Sequence, residues 1–212
     1  MCGRFELKTE FDSLPKVLKQ DYPPGLKSKY EIQNQIKPND PVLVIKNEGK
    51  MKTTFMSWGF ISPWAKNPFD KSLPRPFNAR SETVGEKKLF QSSWRHKRCL
   101  IPASGFFEKG FRIRKKNYAT FWLGGIWSRW TSQDGAELES CCILTTDPNE
   151  LIKPLHHRMP VVIPEGIEEQ WTENVKDNDE LKGLFPIMMG WSPDDWLIEE
   201  LNKSPTSQLS LF

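Results

Sequence analysis

Hydrophobic and polar positions change over in short blocks along this chain, a pattern that favours many short strands over a few long helices. Segments 41–46 (PVLVIK) and 51–58 (MKTTFMSW) predict a hairpin about a turn at 47–50. Arg98 to Ala103 and Gly105 to Glu108 read as two further short strands. Residues 118–130 read as a long one, with Gly124-Gly125 suggesting a bulge or bend. Segments 141–146 (CCILTT) and 161–163 complete the strand set. Helical signals are fewer. Residues 14–40 read as a helix followed by loop, and 81–90 as a helix with Glu82 near its start and lysines later, as the helix dipole prefers. Asp147-Pro148-Asn149-Glu150 has the form of an N-cap, a first-turn proline and a capping box, and Pro164-Glu165 opens one more helix. Prolines at 63, 68 and 74 make 62–75 a long loop, and such loops are often functional. The whole reads as a strand-rich α+β chain. A domain over 1–203 is expected, with a disordered tail over 204–212.

Composition narrows the class. A chain of 212 residues is long enough to bury a real core, and 37% hydrophobic with 27% charged residues describes a water-soluble domain. The net charge of +3 does not by itself call for nucleic acid, although it permits a local basic face. Four cysteines without a CxxC pair, and three histidines, argue against a zinc site and against a disulfide framework, so no metal and no organic cofactor are expected. Charged residues among the first fourteen exclude a secretory signal, and no run is long enough to span a membrane. A reducing, cytoplasmic compartment and a monomer are the expectation. The nine Trp and thirteen Phe are read mainly as core, with a few available as stacking surfaces for bases.

The candidate chemistry begins at the second residue. If Met1 is removed, Cys2 carries a free α-amine and a thiol on adjacent carbons, a general trap for aldehydes through an imine and then a thiazolidine ring. An α-amine with a pKa near 7.7–8.0 is roughly 10–20% neutral at pH 7, far more than a lysine. The plain alternative is a buried small hydrophobe. Three polar segments add to the picture. In Phe77-Asn78-Ala79-Arg80-Ser81-Glu82, a helix entry accounts for Ser81 and Glu82 but not for Asn78 and Arg80. Glu108 ends the apolar GFFE strand, either as a solvated end or as a half-buried acid with a raised pKa. His156-His157-Arg158 follows the expected 147–150 cap, structural or proton-transferring.

Taken in order, the opening MCGR, Trp58-Gly59 with Pro63-Trp64-Ala65-Lys66, NARSET, RCLIPASGFFE and ILTTDPNELIKPLHHRMPVVI resemble the SOS response-associated peptidase (SRAP) family of abasic-site-processing proteins over roughly residues 1–165. The resemblance implies a barrel-like single domain with peripheral helices. It implies binding of single-stranded DNA and covalent capture of the ring-opened aldehyde of an abasic site by Cys2 after Met1 removal. By the same resemblance Asn78 orients the Cys2 amine or the sugar, and Glu108 and His156 transfer protons. Arg4 and Arg80 hold phosphates, and Trp58 or Trp64 wedges or stacks at the lesion. Arg4 is also expected to lower the pKa values of the Cys2 amine and thiol.

The chain departs from the family pattern at Gln35 and Lys37, where Asn and Ala are usual, and at Lys109, where Trp commonly follows the catalytic Glu. The run Arg112, Arg114, Lys115, Lys116 reads as a solvated hairpin tip. Cys99, Cys141 and Cys142 read as inert core thiols. Two other readings stay open: an N-terminal-nucleophile peptidase that removes its own Met1, and a non-catalytic single-strand-binding module.

Overall fold

A computed structural model describes residues 2–175, 178–188 and 191–201; the expected tail over 204–212 lies outside the described residues. Its organising element is a closed ring of strands. The hairpin of β3 (Pro41–Asn47) and β4 (Met51–Trp58) pairs from Pro41↔Ser57 to Asn47↔Met51. Next to β3 lies β6 (Arg98–Ala103), then β9 (Phe121–Thr131), then β10 (Glu137–Thr146). A parallel pairing of β10 with β4, at Ser140↔Ser57 and Cys141↔Trp58, closes the barrel. Closure leaves no long unpaired edge for another chain to use.

A second, five-stranded sheet runs in the order β13 (Trp196–Glu200), β8 (Phe111–Lys115), β7 (Gly105–Glu108), β1 (Phe5–Leu7), β2 (Gln33–Ile36). The strands at the two ends of the chain therefore share one sheet. Short pieces complete the barrel wall: β5 (Asn78–Arg80) beside β10, β11 (Met159–Pro160) beside β10, and β12 (Val162–Ile163) beside β9. The helices are short: α1 (Leu26–Lys29), α2 (Lys88–His96), α3 (Glu168–Thr172), α4 (Asn178–Gly183) and α5 (Phe185–Met188). Among the described residues none is long and apolar enough to cross a membrane.

The aromatic richness goes mostly into the core. Trp58, Trp94, Trp122, Trp127 and Trp171, five of the nine tryptophans, are fully buried. Each removes about 200 Å² from water, an upper bound of about 5 kcal/mol at 25 cal/mol per Å².

Several expected elements differ. The helix and loop expected over 14–40 are rearranged: prolines 15, 23 and 24 confine helix there to a 3-10 turn and α1, and the polar segment 33–36 forms β2. Residues 81–87 are turns, and the helix starts only at Lys88 because Gly85 lies against Trp94 and Glu82 is drawn into an ion pair. The 147–150 cap opens turns, not an α-helix. There Asn149 Oδ1 accepts from the amide of Ile152 (3.1 Å), while Asp147 binds Arg158 instead of capping. The helix expected at Pro164-Glu165 begins at Glu168.

Gly124-Gly125 makes no bulge. Pairing runs unbroken from Arg98↔Ile126 to Ala103↔Phe121. These glycines permit close approach: a Cβ on Gly125 would sit 2.8 Å from the Cys142 carbonyl oxygen, and one on Gly124 3.1 Å from Trp171. The basic run is not a solvated tip either. Arg112 and Arg114 lie in β8 and bind Glu199 of β13, and Arg112 also binds the buried Glu6 of β1.

Candidate active site

Four segments far apart in sequence meet where β1 begins. Cys2 is fully buried and joins the core cluster that includes Phe5 and Trp58. The lead-in to β1 is tied down by the amide of Phe107, which donates to the carbonyl of Arg4 at 2.9 Å, and by the Phe5↔Phe106 pairing with β7. That pairing carries β7 past Cys2 and delivers Glu108 at its end. Gly105 at the start of β7 is required by β1: a Cβ there would lie 2.8 Å from Glu6 Oε1.

Asn78 starts β5, held beside β10 by the Ile143↔Asn78 register. Its Nδ2 donates to the Cys2 carbonyl at 2.9 Å, and its buried Oδ1 has no hydrogen-bond partner among the described residues. His156 follows the 149–155 turns. Its Nε2 lies 3.9 Å from Glu108 Oε1, with both side chains mostly buried. The amide of Arg158 donates to His156 Nδ1 at 3.0 Å. The same Nδ1 lies 3.2 Å from the Arg158 carbonyl oxygen, so the backbone of Arg158 offers that nitrogen both a donor and an acceptor, while Nε2 faces Glu108. His157 stacks on His156 with ring centroids 4.2 Å apart.

Electrostatics follow burial. Burial, then the nearby Glu108 carboxylate, push the Cys2 thiol up to about 12, against a hydrogen bond to the Arg4 carbonyl that lowers it. The expectation that Arg4 activates the thiol is therefore corrected. The Arg4 guanidinium lies over the Phe107 ring, 4.5 Å from its centroid, and desolvation dominates at the Cys2 thiol. Burial also lowers the His156 pKa below its usual value, more than the Glu108 charge raises it, so the ring is mainly neutral at pH 7. Cys99, Cys141 and Cys142 are buried thiols raised by the same desolvation.

The remaining expected site residues divide. Arg80 is exposed at the end of β5, and Arg4 is half-buried. Trp64 is 65% exposed on the 62–75 loop, beside a largely apolar groove of about 460 Å³ bordered by Pro68, Leu73 and Leu89. Trp58 cannot wedge or stack on DNA, because it is fully buried; its Nε1 donates to the Phe77 carbonyl at 2.8 Å and its ring meets Phe5 and Phe77 edge-on. It packs between Phe5 of β1 and Phe77, the residue before Asn78. Of the departures, Gln35 and Lys37 are exposed on and beside β2, and Lys109 is exposed in the turn after Glu108. A cleft of about 920 Å³ between the 21–24 segment and β3–β4 contains none of these residues.

One residue goes beyond the sequence-based candidates. Arg158 is buried, and its terminal nitrogens bind Glu82 twice (2.8 and 3.0 Å), Asp147 (2.7 Å) and the Thr145 carbonyl (2.6 Å). The signal was in the sequence: an arginine two residues after His156, with carboxylates in the same two motifs that supply Asn78 and His156.

Comparison with known proteins places this arrangement. The profile of the SOS response associated peptidase (SRAP) family matches residues 1–194. The chain is 36% identical to the abasic site processing protein YoaM of Bacillus subtilis, over 97% of this chain and 94% of that one. It is 25% identical to the abasic site processing protein YedK of Escherichia coli, with 91% of each covered. Its fold superposes on a crystal structure of a protein from Bacteroides thetaiotaomicron with a TM-score of 0.78, covering 94% of this chain and 91% of that one at 24% identity. With the barrel, the buried Cys2 and the match over nearly its whole length, the chain belongs to the SOS response associated peptidase family.

Proposed function

We propose that this protein processes abasic sites in DNA by binding single-stranded DNA and capturing the ring-opened sugar covalently at Cys2. One observation carries the reading: Cys2, Asn78, Glu108 and His156, from four separated segments, converge on the start of the chain, with Asn78 bonded to the Cys2 carbonyl at 2.9 Å and Glu108 3.9 Å from His156. The relatives named abasic site processing proteins support the substrate class.

The chemistry starts with removal of Met1, since an acylated nitrogen cannot form an imine. The peptidase in the family's description is accounted for by this single cleavage. An abasic sugar rests mostly as a closed hemiacetal. Opening it requires a proton off the anomeric hydroxyl and one onto the ring oxygen; Glu108 and His156 form the donor–acceptor pair, the member that is protonated delivering a proton and the other accepting one. The Cys2 amine then adds to the aldehyde carbon and water leaves, giving an imine. The Cys2 sulfur adds to the same carbon while its proton passes to the nitrogen, closing the thiazolidine. One water is released and nothing is oxidised or reduced. A protonated thiol suits this order, because Cys2 does not compete as a thiolate before the imine forms. The exposed Arg80 and Trp64, with the half-buried Arg4, supply base-independent phosphate and stacking contacts.

The test mixes the purified protein with a single-stranded oligonucleotide carrying one abasic site and separates the products under denaturing conditions. A shifted band that requires both the lesion and Cys2 supports the reading. A band that persists in Cys2→Ala, or none from protein whose mass shows Met1 removed, overturns it.

A further inference from the structure

The 62–75 loop encloses a groove that the proposed reaction does not use. Its walls are apolar: Ile61, the buried Pro68, Leu73, and Leu89 near the start of α2. It holds about 460 Å³, within the range of sites that take a small ligand. The loop is tied into this shape by its own bonds. Trp130 Nε1 donates to the Ala65 carbonyl at 2.6 Å, the Phe69 amide to Asn67 Oδ1 at 2.9 Å, and the Arg75 guanidinium to the Pro68 carbonyl. The prolines at 63, 68 and 74 restrict it further. Yet the lip of the groove stands in water: Trp64 is 65% and Leu73 39% exposed.

Three observations bear on what covers it. The groove is continuous with the candidate site, because Arg75 in its wall is followed by Pro76, Phe77 and Asn78. Its charge suits a polyanion: Lys66, Lys71 and Arg75 stand against one acid, Asp70, whose carboxylate is engaged by the amide and hydroxyl of Ser72. Its shape suits a flat group, with an exposed indole at the lip and the polar side chains of Ser62 and Asn67 at the border. A nucleobase has two apolar faces and a polar edge, and it arrives on a polyanion. An apolar side chain of a protein partner would use the slot but not the cations.

We propose that this groove is a base pocket: it takes a nucleobase adjacent to the abasic site, unstacked from its neighbours, between Trp64 and the walls formed by Leu73 and Leu89. The inference deepens the proposed function and rests on its single-stranded substrate. A base held there fixes the register of the strand relative to Cys2.

The probe is a single-stranded oligonucleotide with one tetrahydrofuran abasic analogue, which lacks the anomeric hydroxyl and cannot be captured. A second analogue is placed at each flanking position in turn, deleting one base at a time. Affinity is read by fluorescence anisotropy for wild-type protein, Leu73→Ser and Leu89→Ser. Wild type is expected to lose about fivefold or more at one flanking position, the low end of what a stacked base contributes, and under about twofold elsewhere. In each wall variant that penalty should fall to about twofold or less, as coupled partners do in a double-mutant cycle. Leu73 lies at the surface, so its variant is expected to fold, and Leu89→Ser tests the other wall independently. A scan with no sensitive position overturns the inference and leaves the groove to an apolar group of another kind. A penalty unchanged in both folded variants puts the base on the Trp64 surface alone and also overturns it. Capture of a natural abasic site is measured separately. If wild type binds the analogue strand but captures nothing, the covalent reading fails while the base scan still decides the pocket; if it binds no single strand, both fail.

Discussion

At the scale of residues, burial keeps the proposed nucleophile, Cys2, protonated, with Glu108 and His156 beside it as the proposed proton-transfer pair. The site's most unusual backbone lies next to Glu108. Lys109 has φ +46° and Gly110 φ +87° in the two-residue turn between the paired Glu108 and Phe111. Such turns favour Asn-Gly, and a lysine in the left-handed region costs about 1–2 kcal/mol. A strained, exposed cation beside a proposed catalytic carboxylate points to a phosphate contact. Lys109→Asn keeps the turn and removes the charge. It should leave the melting temperature equal or higher. It should also reduce the slope of log affinity against log salt for single-stranded DNA by about 0.7, the value of one phosphate contact. An unchanged slope would remove Lys109 from the DNA interface.

At the scale of elements, close approach within the barrel and ion pairing between loops do the fixing. Gly125→Ala would drive a Cβ to 2.8 Å from a backbone oxygen in the middle of β9, where neither strand can yield. A loss of about 1–3 kcal/mol is expected, read as a drop in denaturant midpoint at constant slope. Glu82 tests the loop pairing through pH. Burial opposes its charge, but the Arg158 hydrogen bonds and charge prevail and hold its pKa below the usual 4.5. Its contribution is therefore fully present above about pH 4.5 and is lost as pH falls through the lowered value. Melting temperatures from pH 6 to pH 3 should fall less steeply in Glu82→Gln than in wild type; parallel curves would deny the pairing its role. The same elements show what could be read in advance. The 41–58 hairpin and the strands around 98–108 and 141–146 followed from alternation and turn chemistry. The helix expected at the start of 14–40 is reduced to short turns and α1, and that expected over 81–90 begins only at Lys88, because prolines, Gly85 and tertiary pairing outweighed local propensity. Asn78 was singled out as a polar residue that a helix entry did not explain, and Glu108 and His156 as residues open to both a structural and a proton-transfer reading. The burial of Trp58 and the Arg158 ion pairs depend on contacts between distant segments, which no local pattern reports.

At the scale of the whole molecule, the two ends of the described chain stabilise each other. β13 pairs with β8 from Trp196↔Lys115 to Glu200↔Phe111, and its Glu199 binds Arg112 and Arg114. Arg112 in turn binds Glu6 beside the Cys2 lead-in. Trp196 packs on Phe121 with centroids 4.7 Å apart. The family match ends at residue 194, yet a chain cut before Trp196 would lose the Glu199 pairs with Arg112 and Arg114, the β13–β8 ladder and the packing of Trp196 on Phe121. The truncated protein should melt far below the full chain or fail to accumulate in soluble form. Equal stability would show that β13 is not part of the folding unit. The central claim is that the new N-terminus at Cys2 is the atom pair that captures the sugar. The most direct measurement is mass spectrometry of the N-terminal peptide after reaction with abasic single-stranded DNA and nuclease digestion. The account predicts a peptide that begins at Cys2, lacks Met1, and carries the sugar remnant with one water lost. A remnant on a lysine, or a captured chain that still carries Met1, would contradict it.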